Sequence, residues 1–146
     1  MNDNTVEQWM DKPYWVIDVL PKQVPLGSRG QYFKVEKYFL NHQQRAARGD
    51  KYAEILVRLN CYADLDVSTD GDNWGHNPPP EELFELVHNC TTDNQTLFIL
   101  VAEGETLMTM NGDETYMTIY NPNNELLELL RVLATAHGLF LWRPPV

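Results

Sequence analysis

Four aspartates within nine residues are the first feature of this chain that could carry chemistry. They lie in the stretch YADLDVSTDGDNW, residues 62–74, which contains no lysine or arginine. Read as an EF-hand loop, the stretch places oxygen-bearing side chains at or near ligand positions: Asp66, Ser68, Asp70 and Asp72. The pattern then fails at its twelfth position, where Asn77 stands in place of the bidentate glutamate that clamps the ion.

A strand running into a turn explains the same aspartates without a metal. Asp64 and Asp66 fall on alternate positions, as polar residues on the solvent side of a strand do. Asp70, Gly71 and Asp72 are typical turn residues. We therefore expect no metal or cofactor, and a weak divalent-cation site at Asp66–Asp72 remains one alternative function.

The acidic character of the chain is confined to one region of the sequence. The formal net charge is −10, and residues 59–130 contain fourteen Asp or Glu and no Lys or Arg. Either the basic residues of 22–58 fold against this segment, or it presents a negative field to solvent. Contact with nucleic acid phosphates through such a surface is unfavourable.

Histidine and cysteine side chains provide the second chemical possibility. His88 and Cys90 form an H-x-C pair, and His76 lies in a loop twelve residues before His88. These three residues suggest a small enzyme or ligand-binding domain with a pocket near them. No zinc-protease, nucleophile-elbow, Walker A or dinucleotide-binding motif occurs in the sequence, so catalysis is the less favoured interpretation.

Aromatic residues within the acidic stretch favour a surface that binds a protein. Tyrosine and tryptophan surrounded by polar residues are typical of protein contact surfaces. The predicted face spans 62–82 and 103–114, and its candidate contact residues are Tyr62, Asp64, Asp66, Asp70, Asp72, Trp74, Glu81 and Glu82. The leading hypothesis is therefore a non-catalytic acidic module, of the kind that inhibits a basic partner by masking it. The sequence leaves open whether the chain also forms a homodimer.

The hydrophobic pattern predicts the elements that carry these residues. A first strand at 14–20 precedes a helix over 31–48 that ends at Gly49 and Asp50. From 53 to 67 every odd residue is apolar, which predicts a long strand with one wet face. Its length, well beyond the usual five or six residues, suggests a bend, a bulge or a helical start.

The second half of the chain predicts a helix, a hairpin and a last helix-strand pair. A helix capped by Asn77 precedes a buried strand at 95–102. Asn111 and Gly112 indicate a type I′ hairpin turn, with Met108, Met110, Thr115, Met117 and Ile119 on one face. A leucine-rich helix, capped near Asn121 or Asn124, ends at Gly138 before a final strand.

These elements form one α+β domain of 146 residues. The predicted order is β-α-β-α-β-β-β-α-β, a mixed or mostly antiparallel sheet of about six strands with about three helices. Residues 1–12 are expected to be a loosely ordered segment. No secretory leader or membrane span is recognised, and the two cysteines do not suggest a disulfide scaffold, so we expect a cytoplasmic protein.

Overall fold

A computed structural model describes residues 4–144, apart from the side chains of residues 4, 5, 42 and 43. Its elements are α1 (Asn4–Met10), β1 (Tyr14–Asp18), α2 (Tyr32–Leu40), α3 (His42–Leu59), β2 (Leu65–Ser68), β3 (Gly75–His76), α4 (Pro80–Thr92), β4 (Thr96–Val101), β5 (Thr106–Asn111), β6 (Met117–Tyr120), α5 (Asn124–Ala136) and β7 (Phe140–Trp142). The strands form one antiparallel sheet in the order β3-β2-β4-β5-β6-β1-β7. The predicted α+β class is confirmed, with one more strand and two more helices than expected.

The main core lies between the sheet and three helices. Helices α3, α4 and α5 pack on one face of the sheet, and α3 contacts the other two. Because side chains alternate across a strand, the residues of β5 and β6 that face these helices are every second one: Met108, Met110, Met117 and Ile119. This is the methionine-rich face predicted from the hairpin sequence.

The opposite face of the sheet carries a smaller apolar cluster. Helix α1 lies over β5 and buries Trp9 against Leu100 and Leu107. Half-buried side chains complete this cluster: Val6, Trp74, Phe98 and Tyr120. Of the segment 1–12, which we expected to be loosely ordered, residues 4–10 form α1, and residues 1–3 lie outside the described residues.

For the long pattern at 53–67 we expected a bend, a bulge or a helical start, and the structure shows the helical start. Helix α3 does not end at Gly49 and Asp50 but continues to Leu59, and the strand is limited to Leu65–Ser68. Residues 53–59 fit a helical period as well as a period of two. The fully buried residues of α3 recur at the spacing of one helix face: Tyr52, Ile55, Leu56 and Leu59. In a continuous helix the backbone N–H and C=O groups of this segment are hydrogen-bonded, and packing against α4 and α5 buries its apolar face.

The predicted hairpin turn also differs from the observed connection. Neither Asn111 nor Gly112 has a positive φ, so the β5–β6 connection is not a type I′ turn but the loop of residues 112–116. Positive φ values occur instead at Ala102, Glu103 and Gly104, which join β4 to β5. The predicted end of the last helix is confirmed, since Gly138 follows α5 with φ +71°.

Buried polar groups tie α3 to the strands beneath it. The hydroxyl of fully buried Tyr52 lies 3.1 Å from the carbonyl oxygen of Ile17 and 2.5 Å from that of Thr115. Asp18 is also buried and accepts a 2.9 Å hydrogen bond from the hydroxyl of Thr115. Burial raises the pKa of Asp18, and the hydrogen bond from Thr115 opposes that shift. These contacts fix α3 relative to β1 and the 112–116 loop.

None of the helices within residues 4–144 is long and apolar enough to cross a membrane.

Gly112 marks the closest approach of two backbone segments, and it yields a stability prediction. A Cβ at this position would overlap the carbonyl oxygen of Cys90 and would lie 2.7 Å from the Cα of Asn94. Because both neighbours are backbone atoms, Gly112→Ala should lower the free energy of unfolding by about 2–3 kcal/mol or more, measured by urea denaturation. Gly75→Ala is the matched control, since a Cβ there would have no atom within 4 Å of it. Equal stability of the two variants would contradict the described packing.

Candidate functional site

Three connecting segments meet at one end of the sheet. The turn after α3 is joined to the β4–β5 turn by a 3.0 Å hydrogen bond from the amide of Ala102 to the carbonyl of Asp64. The segment before α5 joins them, because Thr106 Oγ1 donates to the carbonyl of Asn121 at 3.1 Å. The Asn121 side chain donates in turn to the carbonyl of Glu105 at 3.3 Å. The residues carried by these segments therefore share one surface.

Five carboxylates lie on or beside these segments, and we call them the acidic end: Asp64, Asp66, Glu103, Glu105 and Glu125. Four of them are exposed, and Asp66 is half-buried. Among the described residues, the ion pairs of the acidic 59–130 segment are those of Asp66 with His76 and of Glu128 with Arg131. The basic residues of 22–58 thus form no ion pair with the acidic end, which presents its charge to solvent.

A groove of about 350 Å³ opens within the acidic end. Its apolar side chains come from α3, the turn after α3, β4 and α5, and the main ones are Leu59, Ala63, Val101, Leu126 and Leu129. Exposed Glu105, Glu125 and Tyr62 also line it. The groove therefore combines an apolar floor with two carboxylates and a phenol at its margin, which is the composition of a site for a ligand with an apolar body and a positive group.

Asn77 organises the neighbouring edge of the sheet instead of capping α4 as predicted. Helix α4 begins after Pro79 without a side-chain cap. The Asn77 side-chain oxygen accepts from the amide of Leu65 at 2.9 Å and from Asn60 at 2.8 Å, and its nitrogen donates to Asp64 at 2.9 Å. Its positive φ of 44° is one that asparagine tolerates better than most residues. This network positions the carboxylate of Asp64.

Exposed His76 pairs with half-buried Asp66 of the acidic end. Imidazole Nδ1 lies 2.7 Å from Asp66 Oδ1, across the β2–β3 ladder. The hydrogen bond to Asp66 raises the pKa of His76 above its usual value, and the charges of Asp66, Asp64 and Glu103 act in the same direction. Protonated His76 would offset one charge of this surface.

None of the remaining predicted contact residues lines the groove. Asp70 and Asp72 are exposed at the opposite end of β2, a strand of four residues that spans about 13 Å. Trp74 is half-buried in the cluster under α1, and its buried indole nitrogen has no hydrogen-bond partner among the described residues. Glu81 and Glu82 are exposed on the first turn of α4. The fourteen acids of 59–130 are thus spread over several surfaces.

Three of the four side chains of the suggested cation site, Asp66, Ser68 and Asp70, form hydrogen bonds with other groups of the protein. One oxygen of Asp70 accepts from the amides of Asp72 and Asn73, both at 2.8 Å, and the Ser68 hydroxyl donates to the same oxygen at 2.9 Å. The hydrogen bonds from Asn73, first among these, lower the pKa of Asp70. Within the described part of the chain, no group of three or more His, Cys, Asp or Glu side chains could hold a metal ion. The contacts describe a tight turn.

His76, His88 and Cys90 do not come together in one pocket. His76 lies on the edge strand β3, and exposed His88 lies on α4. The Cys90 thiol is buried, where it donates to the carbonyls of Gln95 at 3.0 Å and Met110 at 3.4 Å. Burial raises the pKa of this thiol to about 12, so it is not a thiolate at neutral pH.

No family model, curated protein or solved structure matches the chain. The basis for a functional proposal is therefore the groove and the charges around it. The sequence indicated part of this surface through Tyr62, Asp64 and the 103–114 segment. It gave no sign that Glu125 and the leucines of α5 join them, because that juxtaposition depends on where α5 begins relative to the β4–β5 turn.

The His76–Asp66 pair predicts a measurable titration. The pKa of His76, followed by NMR of its ring, should lie above about 6.5 and should fall in the Asp66→Asn variant. Since the folded-state pKa is the raised one, the stabilisation by this pair is fully present below about pH 6.5 and is lost as the pH rises through the folded-state value. Asp72→Asn should leave the titration unchanged. An identical His76 pKa in wild type and Asp66→Asn would contradict the assignment.

The contacts of Asp70 predict the behaviour of the suggested cation site. Addition of about 1 mM calcium should leave the melting temperature of the wild type unchanged, because the Asp70 oxygens already accept internal hydrogen bonds. Asp70→Ala should lower the melting temperature equally with and without calcium. A calcium-dependent rise in the wild type that disappears in Asp70→Ala would show instead that the turn binds the ion.

Proposed function

We propose that this chain is a non-catalytic binding module whose acidic end holds a cationic protein. The observation that carries the proposal is the concentration of five carboxylates at one end of the sheet, where two of them, Glu105 and Glu125, line an apolar groove. Among the described residues, no lysine or arginine pairs with any of them. A partner that supplies positive charge would therefore meet four carboxylates, Asp64, Glu103, Glu105 and Glu125, that form no ion pair among the described residues, and Asp66, which pairs with His76.

Unpaired surface carboxylates favour fast and selective association. Long-range attraction between complementary charges raises the rate of encounter, and like-charged proteins are rejected. The salt dependence of such attraction is strong, because charges are screened within about 8 Å at physiological ionic strength. The acidic end would thus select basic partners before any close contact forms.

Tyr62 supplies an anchor beside this charge. Its side chain is 74% exposed, although tyrosine is large and mostly apolar. It lies in the turn between α3 and β2 and lines the groove next to Ala63. Tyrosines that become buried on association contribute a large share of the affinity of many protein interfaces. Affinity would then come from Tyr62 and the groove, and orientation from the surrounding carboxylates.

The arrangement of reactive groups favours binding over catalysis. The buried thiol of Cys90 is protonated at neutral pH, and neither His76 nor His88 lines the groove. Within this proposal the module masks a basic surface of its partner, as an inhibitor does. A cytoplasmic location belongs to the same proposal, since free Cys61 is exposed and a reducing compartment would keep it so.

Capture of partners from a lysate of the cell that makes the protein tests this function. The tagged wild type should retain a basic protein at low salt and release it at high salt, with mass spectrometry identifying it. A variant with Asp64, Glu103, Glu105 and Glu125 changed to amides should lose that protein. The expected loss is tenfold or more in affinity, measured by titration of the purified partner.

The matched control removes four carboxylates elsewhere. Asp50, Asp72, Asp93 and Asp113 are all exposed and lie outside the acidic end, and their change to Asn gives the same net charge of −6 from the original −10. The control variant should bind the partner within about threefold of wild type, because its local field at the acidic end is nearly intact. Equal losses in both variants would show that only net charge matters and would contradict a defined binding surface.

A further inference from the structure

We propose that the groove binds one arginine side chain of the cationic partner. Its guanidinium would lie at Glu105 and Glu125, and its aliphatic stem on Leu126 and Leu129. This proposal rests on the proposed function and specifies the residue that the acidic end recognises. It concerns the groove, whereas the carboxylates of Asp64, Asp66 and Glu103 lie outside the groove lining.

The apolar floor requires a ligand with an apolar portion. Leu59 and Val101 are almost fully buried, whereas Leu126 and Leu129 are partly exposed where they line the groove. Burial of such surface by a ligand is favourable by about 25 cal/mol per Å². Arginine presents three methylene groups before its charge, so its stem can cover leucine side chains while the charged end stays at the margin.

The carboxylates at the margin of the groove determine the sign of the charge that the ligand carries. Glu105 and Glu125 line the same groove from two different segments, and both are exposed. The positive end of α5 also lies here, and it alone would favour an anion. Glu125 in its first turn offsets that field, and the Asn123 side chain already accepts from the amide of Leu126 at 2.7 Å. The net preference is therefore for a cation.

Tyr62 favours arginine over lysine at this site. A planar guanidinium stacks on an aromatic face and can donate to two carboxylates at once, whereas an ammonium is a compact and more strongly hydrated charge. Tyr62 is exposed beside both the apolar floor and the carboxylates. The ring of Tyr62 can therefore stack on the face of a guanidinium, and the two carboxylates can accept hydrogen bonds from its N–H groups.

The groove continues past the arginine position. A second cavity of about 300 Å³ shares Glu105, Thr106 and Asn123 with the first and extends over Asn121 and Pro122. Four of the five residues that line this extension have polar side chains, which suits the backbone of residues next to the arginine. The proposed occupant is therefore an extended segment of a protein and not free arginine alone.

The probe is a short peptide, acetyl-Gly-Ala-Arg-Ala-Gly-amide, titrated into the ¹⁵N-labelled full chain. Amide resonances of residues 62–63, 105–106 and 123–126 should shift, with a dissociation constant in the millimolar range expected of one side chain. The citrulline peptide has the same shape without the charge and should bind at least tenfold more weakly. The norleucine peptide should also bind weakly, and the lysine peptide should bind severalfold more weakly than arginine.

Variants of the groove locate the binding. Glu105→Gln and Glu125→Gln should each weaken the arginine peptide severalfold, whereas Asp72→Asn, at the far end of β2, should leave it unchanged. Ala63→Phe fills the groove without altering charge and should abolish peptide binding. Retention of the wild-type spectrum outside the groove shows that each variant is folded. Tyr62→Leu should reduce the preference for arginine over lysine.

The outcomes separate this proposal from the function on which it rests. Equal binding of the arginine and citrulline peptides, equal binding of arginine and lysine, or no shift at the groove would each overturn the arginine site. A partner captured through the acidic end that binds Ala63→Phe like wild type would also overturn it, while the proposed function stands. Peptide binding at the groove without any salt-sensitive basic partner would support the arginine site and overturn the proposed function.

Discussion

The hydroxyl of Tyr52 is the contact on which the arrangement of this fold depends. It lies within hydrogen-bonding distance of two backbone carbonyls, one at the end of β1 and one in the 112–116 loop. Arg48, one turn earlier, adds hydrogen bonds to the carbonyls of Phe39 at 2.9 Å and Gly112 at 3.1 Å. These buried polar contacts fix the position of α3 along the sheet. The end of α3 then determines where Tyr62 and Asp64 emerge.

The separation of charge follows from this arrangement. The basic side chains of α3 near Arg48 lie at the end of the sheet occupied by Gly112, opposite the turn at 60–64. The Arg45 guanidinium donates hydrogen bonds to the carbonyl of Leu40 and to the side chain of Asn94, and not to a carboxylate. Arg58, in the last turn of α3, contacts His137 at 3.2 Å, so among the described residues no ion pair joins the basic half of the sequence to the acidic end. An exposed surface of negative charge attracts positively charged partners and repels negatively charged ones.

Local patterns predicted the fold better than the site. Alternation in the β5–β6 hairpin assigned Met108 and Met117 to the core face correctly, since a strand has one simple period. Residues 53–59 satisfied both a period of two and a helical period, and only tertiary packing against α4 and α5 decides between them. The groove required contacts between Ala63, Glu105 and Leu126, which are distant in sequence. No local rule brings such residues together.

Measurement of the local electrostatic potential is the most direct test of the proposed binding surface at the acidic end, because the measurement requires no partner. Relaxation of amide protons by a cationic nitroxide, compared with a neutral one, reports how strongly positive solutes concentrate near each residue. The cationic probe should enhance relaxation most at residues 63–66, 102–105 and 123–126, and the difference should shrink as salt is added. Uniform enhancement over the surface, or a maximum near Asp70 and Asp113, would contradict a charged binding site at the acidic end.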